Sequence, residues 1–452
     1  MKIFRDFFIK ILFFLVIFSS NAIADKNTQV EDWQEQISLT KTGTSTRVSI
    51  VFRVVNLPKN YQLNSYQISS SAKNSIKFSQ VTIDDFPAQY TQDNGVLQIK
   101  FNQPKKDQDS FKISYIYDVV YEKIEENLRQ ESVYVPSFAV GAKYKISLDL
   151  GQKYELLTTH SQAKRVRNSQ GSSLIFEGIT PLDGFTQIIR LTTNTASYQA
   201  TVRNIITLNN LKGTLEAITP MLFRDGWQLV DKQQLTSSLA SSERGTDKKN
   251  IFFKFNVSEN DKKIIIENKA LIQTGKKNQV SFSRNPFNYK EFSSEEQSLV
   301  EPLVSKAKSD VKYQQLPLYA QLTLFVHNYL KYDLDYYGKE PPLLQIVENR
   351  AGVCSEYAKL LNAMARVAGI PAITVNGLAL NEKNKFEAHA WNALFVDGDW
   401  IFVDPTWGLS SGIVSSAHIY LRDEGGKDIE LKFLGNKEAS FSADFEFVVD
   451  KI

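Results

Sequence analysis

The chain has 452 residues, of which 42% are hydrophobic and 23% are charged, and its formal net charge is +3. This length allows two or three domains with cores of their own, and the composition excludes a disordered or fibrous protein. A net charge so close to zero gives no general reason to expect nucleic-acid binding, which depends on a strong excess of Lys and Arg.

Residues 1–24 have the pattern of a secretory signal peptide. The basic start of this pattern is formed by Lys2, Arg5 and Lys10. Residues 11–18 follow as an apolar run that is too short to span a bilayer. Residues 22–24 are Ala-Ile-Ala, which fits the small-x-small pattern of a cleavage site. We therefore expect a periplasmic or secreted protein whose mature chain begins at Asp25.

Cleavage would remove three positive charges and one negative charge, so the formal balance would fall from +3 to +1. The alternative to cleavage is a retained membrane anchor formed by residues 7–18. No later segment is apolar enough to predict a transmembrane helix, so we expect no membrane span after signal removal.

Residues 25–197 predict a β-rich, sandwich-like domain. Apolar residues alternate with other residues in several segments, and Asp93-Asn94-Gly95 is a turn signal. The clearest alternating segments are 48–54, 97–101 and 111–117. Repeated strands with polar turns are typical of a β-sandwich. Three roles remain open for this domain: positioning a catalytic core, binding a partner, or serving as a plain scaffold.

Residues 198–285 predict a second, smaller β-rich unit. Its strand-like segments are 201–208, 251–257, 263–272 and 280–282. The polar segment 235–247 predicts a loop. Three pairs of adjacent lysines occur in this unit, and lysine commonly protects an exposed sheet edge. The alternative for these lysines is contact with an anionic surface, such as an envelope polymer or a membrane.

Residues 290–410 combine helical and strand patterns, which gives the whole chain an α+β fold class. Ser293 and Glu296 have the spacing of a capping box and predict a helix that continues to about residue 308. Pro317 fits the first turn of a second helix, on which we expect His327 to be structural or exposed. An irregular loop before the cysteine would lead into a cleft, where Tyr332 is either a lining residue or a core aromatic.

Residues 411–452 form a strand-rich tail that either completes the core sheet or adds a short β unit. His418 lies in this tail, and the sequence provides no evident partner for it.

The only cysteine of the chain, Cys354, begins a predicted helix that ends near Ala368. In the first helical turn, free N–H groups and the positive end of the helix dipole favour the thiolate, which is the reactive form. The dipole contributes only about 0.3–1 kcal/mol, so a partner is needed. Gly352, just before the helix, indicates a close backbone approach. A single cysteine cannot form an internal disulfide; the alternative to a reactive role is a small buried hydrophobe.

The partner predicted for this thiol is His389. Asp397-Gly398 is a two-residue hairpin signal, and counting back from that turn pairs Trp391 with Asp404. This register places Asp404 on the same sheet face as His389. A shift of one residue would place Asp404 on the opposite face. The alternatives to a functional pair are a structural histidine and a turn at Asp404-Pro405.

Cys354, His389 and Asp404 together predict a thiol acyl-transfer triad. In this hypothesis Cys354 is the nucleophile, His389 is the acid and base, and Asp404 orients the imidazole. The Cys354 backbone N–H is one candidate donor for the oxyanion. The single cysteine and the four histidines lack the spacing of metal ligands, so we expect no metal and no cofactor.

These residues resemble the transglutaminase-like superfamily over about residues 316–408, roughly a fifth of the chain. The matching motifs are Lys331-Tyr332-Asp333, Gly352-Val353-Cys354, Tyr357-Ala358, Ala368-Gly369-Ile370-Pro371-Ala372, His389-Ala390-Trp391 and Trp400 to Thr406. The resemblance implies a papain-like core, in which a helix packs on an antiparallel sheet, and a Cys–His–Asp triad. Exported relatives often carry a β-rich domain ahead of this core.

The resemblance does not imply one reaction, because relatives include cross-linkers, deamidases, peptidases and inactive members. Our first hypothesis is an exported thiol peptidase or amidase that acts on a protein or peptide substrate. Transamidation is the variant in which an amine replaces water. The alternative of another class is a non-catalytic envelope interaction protein that retains the fold.

Overall fold

The computed structural model describes residues 15–17, 29–39, 45–55, 63–69, 76–93, 96–106, 109–120, 128–135, 139–159, 163–169, 171–182, 185–193, 195–220, 222, 227–246, 250–275, 292–381, 385–423, 429–436 and 439–452. The chain divides into two compact units, Met1–Leu191 and Thr192–Ile452. This division falls close to the predicted boundary at residue 197. Among the described residues, no helix combines the length and apolarity needed to cross a membrane.

Buried and less buried side chains alternate in residues 96–101, 145–150 and 171–176, as the period of the sequence predicts, whereas residues 89–93 are exposed throughout. Fifteen described strands begin in the N-terminal unit. They are β1 (Leu15–Ile17), β2 (Gln29–Leu39), β3 (Ser45–Val55), β4 (Leu63–Ser69), β5 (Ile76–Ile83), β6 (Phe86–Pro87), β7 (Gln89–Asp93), β8 (Val96–Lys105), β9 (Phe111–Val120), β10 (Leu128–Val135), β11 (Lys143–Gly151), β12 (Tyr154–Thr159), β13 (Lys164–Asn168), β14 (Gly171–Ile179) and β15 (Phe185–Thr193).

These strands form three sheets with the orders β13-β14-β11-β2-β3-β9-β5-β6, β1-β4-β8-β7 and β10-β15-β12. Side chains from the first two sheets share one hydrophobic core. Within it, the ring of Phe52 on β3 lies 5.3 Å from that of Trp33 on β2 and 5.7 Å from that of Tyr66 on β4. The predicted sandwich-like architecture is therefore confirmed.

Strand β1 lies inside the segment predicted to be a signal peptide. It pairs antiparallel with residues 67–69 of β4, at the edge of its sheet. Removal of residues 1–24 would leave β4 as that edge. The predicted cleavage site at residues 22–24 lies outside the described residues.

The C-terminal unit contains the described helices and the remaining strands. They are β16 (Ala196–Asn209), β17 (Gly213–Pro220), β18 (Gln228–Ser237), β19 (Glu243–Thr246), β20 (Asn250–Val257), β21 (Lys263–Thr274), α1 (Ser294–Ser309), α2 (Leu318–Tyr329), β22 (Lys331–Tyr332), a 3₁₀ turn (Leu334–Tyr336), α3 (Leu343–Asn349), β23 (Ala351–Gly352), α4 (Cys354–Val367), β24 (Ala372–Leu380), β25 (Phe386–Val396), β26 (Asp399–Val403), β27 (His418–Asp423), β28 (Glu430–Gly435) and β29 (Ser440–Lys451).

The predicted second β unit is completed by the last strands of the chain. Its two sheets have the orders β18-β21-β16-β29 and β19-β20-β17-β28, and apolar side chains fill the space between them. Strand β29 pairs with β16 from Tyr198↔Lys451 to Asn209↔Ser440. For the segment 411–452 we predicted that it either completes the core sheet or adds a short β unit. Strand β27 extends the core sheet, while β28 and β29 join the second β unit.

The predicted loop at residues 235–247 is wrong in part. Strand β18 continues to Ser237, and β19 covers Glu243–Thr246. Both are edge strands, whose outer sides face solvent, and polar side chains suit such positions. The predicted strand at 280–282 lies outside the described residues, as does His160, one of the four histidines of the chain.

The core has the predicted arrangement of a helix packed on an antiparallel sheet, so the α+β class is confirmed. Helix α4 packs on the sheet β26-β25-β24-β27 through a core that includes Leu361, Met364 and Leu394. The predicted capping box begins helix α1, because the Ser293 Oγ accepts from the Glu296 N–H at 3.2 Å and the Glu296 Oε2 accepts from the Ser293 N–H at 3.0 Å.

Candidate active site

The N-terminal turn of helix α4 carries Cys354 as its first residue. A buried carboxylate holds this turn: the Glu356 Oε2 accepts a hydrogen bond from the Val353 N–H at 2.9 Å, and the Glu356 Oε1 accepts one from Ser355 Oγ at 2.9 Å. Gly352 is required beside it, because a Cβ at residue 352 would lie 2.3 Å from the Cβ of Glu356. The sequence signal at Gly352 thus has a steric cause.

Cys354 is a free, partly exposed thiol. Its backbone N–H finds no acceptor among the described residues, as expected for the first turn of a helix. This N–H is therefore available as a donor to an oxyanion formed on a substrate bound to the thiol.

The β25–β26 hairpin brings His389 and Asp404 together. The turn has positive φ at both central residues, Asp397 and Gly398, as the two-residue signal predicts. The strands pair from Val396↔Asp399 to Asn392↔Val403, so the predicted register is confirmed. Asp404 follows directly after β26, and its Oδ2 lies 2.9 Å from Nε2 of His389.

The His389 ring connects the carboxylate to the thiol. Its Nε2 faces Asp404, and a hydrogen bond to the Cys354 side chain also acts on the ring. Because Nε2 is occupied, Nδ1 is the nitrogen that remains for the thiol. The three predicted site residues therefore lie together in the order thiol, imidazole, carboxylate.

The buried charges favour an ionised pair. Burial alone would lower the pKa of His389, but the Asp404 carboxylate and the Cys354 thiol outweigh it and raise this pKa to about 10. Burial would raise the pKa of Asp404, yet the interactions with His389 and His418 hold it well below its usual range. At neutral pH, Asp404 is thus an anion and His389 a cation, the charge state that stabilises a thiolate.

Comparison with known proteins agrees with this geometry. The family model of the transglutaminase-like superfamily matches residues 297–405, a range that contains Cys354, His389 and Asp404. This chain therefore carries a transglutaminase-like core domain. The match begins earlier than the resemblance read from the motifs, because it also includes helix α1.

Two curated relatives align with part of this domain. The kyphoscoliosis peptidase of Mus musculus is 30% identical over 131 residues, and that of Homo sapiens is 28% identical over 131 residues. Each alignment covers 26% of this chain and 18% of the relative, so the chain spans about a fifth of the length of the curated relatives it matches.

A crystal structure of a candidate cysteine protease from Cytophaga hutchinsonii is also similar. It matches with a TM-score of 0.40 at 16% identity, and the match covers 57% of this chain and 91% of that one.

The Asp404 carboxylate of the transglutaminase-like domain is oriented by its own loop. Its Oδ1 accepts hydrogen bonds from the backbone N–H of Thr406 at 2.8 Å and of Trp407 at 3.3 Å. The loop closes through a backbone bridge between Asp404 and Leu409. Nδ1 of His327, a residue predicted to be structural or exposed, lies 3.1 Å from the carbonyl oxygens of Pro405 and Thr406 and so supports the loop.

Trp407 covers the imidazole of His389. The two rings stack with their centroids 4.3 Å apart and an interplanar angle of 12°. The indole excludes water from one face of the ring, and its π-face attracts the imidazolium charge. Trp407 directly follows the last motif that carries the resemblance, but the sequence did not assign this contact to it.

His418 is the site residue that sequence reasoning missed. Its Nε2 lies 3.2 Å from the Asp404 Oδ2, although the sequence provided no evident partner for it. The correction has a topological reason: β27 pairs with β24, and this long-range pairing brings residue 418 beside residue 404. No motif spacing records such a contact.

His389, Asp404 and His418 each have one side-chain nitrogen or oxygen atom that could bind a metal ion, and these three atoms lie within 4.8 Å of one another. Each imidazole Nε2 already lies at hydrogen-bond distance from the same Asp404 oxygen. We therefore assign this cluster to hydrogen bonding. The expectation of no metal used sequence spacing alone, which cannot detect a cluster formed by strand pairing.

Tyr332 lies beside the cysteine segment, because β22 pairs with β23 at Tyr332↔Gly352. Its side chain is half-buried. Burial, followed by the charge of Cys354, raises the pKa of the Tyr332 phenol well above its usual value, so it stays neutral. Its ring packs 6.2 Å from that of Tyr357 and against the apolar core, which agrees with the core-aromatic alternative. The lining of a cleft by Tyr332 stays a prediction.

A buried amide network aligns the helix with the strand of His389. The Nδ2 of Asn392 on β25 donates to the Ala358 carbonyl at 2.9 Å and to the Asn362 Oδ1 at 2.8 Å, both on α4. The Nδ2 of Asn362 then donates to the Thr374 Oγ1 on β24 at 2.8 Å. These bonds set the distance between the thiol and the imidazole, because each element carries one of them.

Proposed function

We propose that this protein is an exported thiol enzyme that breaks amide bonds by acyl transfer through a thioester on Cys354. The observation that carries the proposal is the buried His389–Asp404 pair, with Nε2 and Oδ2 2.9 Å apart, beside a thiol at a helix N-terminus. A nucleophile, a base and a residue that orients the base are the three parts that this chemistry needs.

The reaction has two stages. The Cys354 thiolate attacks the amide carbonyl carbon, and the oxyanion is stabilised by the Cys354 N–H. The C–N bond then breaks while His389 gives its proton to the leaving amine, which leaves a thioester. Water attacks this thioester as His389 accepts its proton; the C–S bond breaks, a carboxylic acid leaves, and the thiolate–imidazolium pair is restored.

Hydrolysis of a protein or peptide substrate is the form of this reaction that we favour. Water is always present as an acceptor, whereas cross-linking requires a bound amine in its place. The name of the mammalian relatives, kyphoscoliosis peptidase, supports the same choice for the shared segment. Export is supported by the signal-peptide pattern of residues 1–24.

The first test measures alkylation of Cys354 by iodoacetamide across pH. The chain has one cysteine, so the label reports on this thiol alone. We expect rapid alkylation near neutral pH in the wild type, and a rate close to that of an ordinary thiol in His389→Ala. The matched control is the same protein unfolded in guanidinium chloride, where the two forms should react alike. Equal, slow rates in both folded forms would contradict the proposal.

The second test identifies the acceptor. Casein is incubated with the wild type or Cys354→Ser in the presence of a fluorescent primary amine. New peptide termini or released ammonia without amine incorporation indicate hydrolysis, and amine incorporation indicates transamidation. If neither occurs with casein or with a peptide library, although the thiol is activated, the hydrolytic form of the proposal is wrong and the envelope-binding alternative takes its place.

A further inference from the structure

Two histidines share one oxygen of the Asp404 carboxylate. The Asp404 Oδ2 lies 2.9 Å from Nε2 of His389 and 3.2 Å from Nε2 of His418. The triad as predicted uses only the first of these contacts. The second requires an explanation, because His418 is fully buried and a buried histidine is costly unless its polar atoms are used.

The remaining contacts of Asp404 complete its shell. The other oxygen, Oδ1, accepts from the backbone N–H of Thr406 and of Trp407. A carboxylate offers about four lone-pair positions, so these two backbone bonds and the two imidazole bonds occupy it fully. Asp404 therefore cannot rotate without breaking a bond. Two of the bonds come from its own loop and one from His389 of the same hairpin, whereas the bond from His418 comes from a strand outside the hairpin.

The two histidines carry different charges. Burial lowers the pKa of His418 despite the opposing effect of Asp404, and the neighbouring His389 cation lowers it further. His418 is thus a neutral imidazole with a single N–H, which it donates to Oδ2. His389 is the charged partner, because it alone also faces Cys354. The titratable groups around the His418 ring are therefore Asp404 and His389.

Aromatic rings hold the His418 imidazole in place. Its centroid lies 5.1 Å from that of Trp391 and 5.0 Å from that of Trp407, with both rings nearly perpendicular to it. Gly377 makes room for this arrangement, because a Cβ there would lie 2.5 Å from the Trp391 ring. The imidazole can therefore offer its Nε2 in one direction only.

The second β unit fixes the His418 backbone. The Trp227 Nε1 donates to the His418 carbonyl at 3.0 Å, and the Gln228 side chain bonds both the N–H and the carbonyl of Tyr420 at 2.9 Å. Strand β27 is thus attached on one side to the core sheet and on the other to the unit that precedes the core. This connection explains why residues beyond the catalytic hairpin are needed to complete the site.

We infer that His418 is a positioning residue of the active site: its Nε2–H holds the Asp404 Oδ2 where that oxygen can accept the His389 Nε2–H while Nδ1 faces Cys354. The inference rests on the proposed function. It also has a consequence for proton transfer. A neutral donor on Oδ2 withdraws charge from the carboxylate, so His389 releases its proton to a leaving amine more readily.

Three substitutions separate this role from simple packing. His418→Gln places an amide N–H close to the position of Nε2, and His418→Asn has the same chemistry but is too short to reach Asp404. His418→Phe keeps the ring shape without a donor. Each variant is labelled with ¹⁵N-histidine, and the pKa of His389 is measured by NMR titration alongside the alkylation rate of Cys354.

We expect His389 to titrate at a higher pH in His418→Asn and His418→Phe than in the wild type, since Asp404 loses a donor. We also expect alkylation near neutral pH to be about ten- to a hundredfold slower, because a carboxylate that has lost this bond no longer holds the His389 ring with Nδ1 toward Cys354. His418→Gln should restore both values. If the Phe variant does not fold, the comparison of Asn with Gln decides.

The inference would be overturned if His418→Asn or His418→Phe had the same His389 pKa and the same Cys354 alkylation rate as the wild type. This result is distinguishable from failure of the proposed function. If the proposed function fails, the wild-type thiol itself is unreactive and no amide substrate is turned over. The His389 titration still reports, independently of catalysis, whether His418 acts on the Asp404–His389 pair.

Discussion

The N-terminal unit and the core around Cys354 fill their interiors with different chemistry. Among the described residues, the buried polar or charged side chains of the N-terminal unit are Glu35, Ser172 and Thr180. Those of residues 292–423 are Thr323, Glu356, Asn362, His389, Asn392, Asp404, Thr406, Ser410, Ser415, Ser416 and His418. The first interior is built for stability, and the second accepts polar burial that stability alone does not require.

The physical cost explains why this difference is informative. A buried polar group without a partner costs roughly 1–3 kcal/mol, and a buried charge costs more. In the core this cost is offset by hydrogen bonds, as the four donors on Asp404 illustrate. Asn392 Oδ1, Thr406 Oγ1 and His418 Nδ1 are nevertheless buried without a hydrogen-bond partner among the described residues. A region that accepts the cost of burying many polar groups is where chemistry is to be sought.

The largest effect that would test this comparison is expected for Asp404→Asn. An asparagine has one acceptor oxygen and one NH₂ group at this position. If the NH₂ group faces the two histidines, it meets their Nε2–H groups as a second donor; if the oxygen faces them, the backbone N–H groups of Thr406 and Trp407 lose their acceptor. We expect the first orientation to disturb the tautomers of both histidines. We expect kcat/KM for amide hydrolysis to fall by about 10³–10⁴-fold. The matched control is Asp118→Asn in the N-terminal unit, where the carboxylate pairs with Arg47 at the surface. An Asp404→Asn enzyme with turnover within tenfold of wild type would remove Asp404 from the mechanism.

The apolar side of the comparison is tested by Phe52→Ala. Phe52 is 1% exposed and contacts two other aromatic rings, so its loss leaves a cavity. We expect a fall of about 3–5 kcal/mol in the free energy of unfolding of the N-terminal unit, measured by denaturant titration. The control is Phe86→Ala in the same unit, because Phe86 is 74% exposed. This substitution should change the free energy of unfolding little. Similar losses in the two variants would contradict the assignment of this core.

The charged pair predicts how stability depends on pH. The pKa of His389 is raised from 6.5 to about 10, so its contribution is complete below pH 6.5 and is lost as the pH rises through about 10. The pKa of Asp404 is lowered, so its contribution is present above its ordinary value and is lost as the pH falls through the lowered one. The lowered pKa of His418 adds a loss of stability below its ordinary value of 6.5.

The measurement for this prediction is the free energy of unfolding at about pH 8 and about pH 10.5. His389→Phe is the comparison, because it removes the titrating group. We expect the wild type to lose more stability than the variant between the two values. An equal loss would mean that His389 is not held as a cation in the folded protein.

The smallest effect is expected for Asn392→Leu, which breaks the amide network between α4 and β25. We expect a loss of about 1–3 kcal/mol in stability and slower amide turnover, because the helix and the strand carry different members of the triad. Asn204→Leu is the matched control: this asparagine is also buried, and its Nδ2 donates to the Thr219 Oγ1 at 2.7 Å within the second β unit. The control should lose stability but not turnover; equal turnover losses would show that the network has no special role.

Local patterns in the sequence predicted the local parts of the site. The helix at Cys354, the close approach at Gly352 and the two-residue turn at 397–398 each depend on neighbouring residues. Because the hairpin has a short connection, its turn also determined the register that places Asp404 near His389. The proximity of His389 and Asp404 could therefore be predicted from local patterns, whereas the approach of Cys354 to this pair was predicted from the resemblance.

Only the tertiary structure decided the contacts between distant segments. His418 meets Asp404 because β27 pairs with β24, and Lys451 lies opposite Tyr198 because the last strand completes a sheet begun near residue 196. The polar edge strand at 243–246 likewise exists through its pairing with β20, not through its own composition. An alternating pattern specifies that a strand forms and which face it buries, but it does not specify the partner strand. The partner strand depends on which distant surfaces can be buried together. Here the pairing of β27 with β24 brings His418 to Asp404.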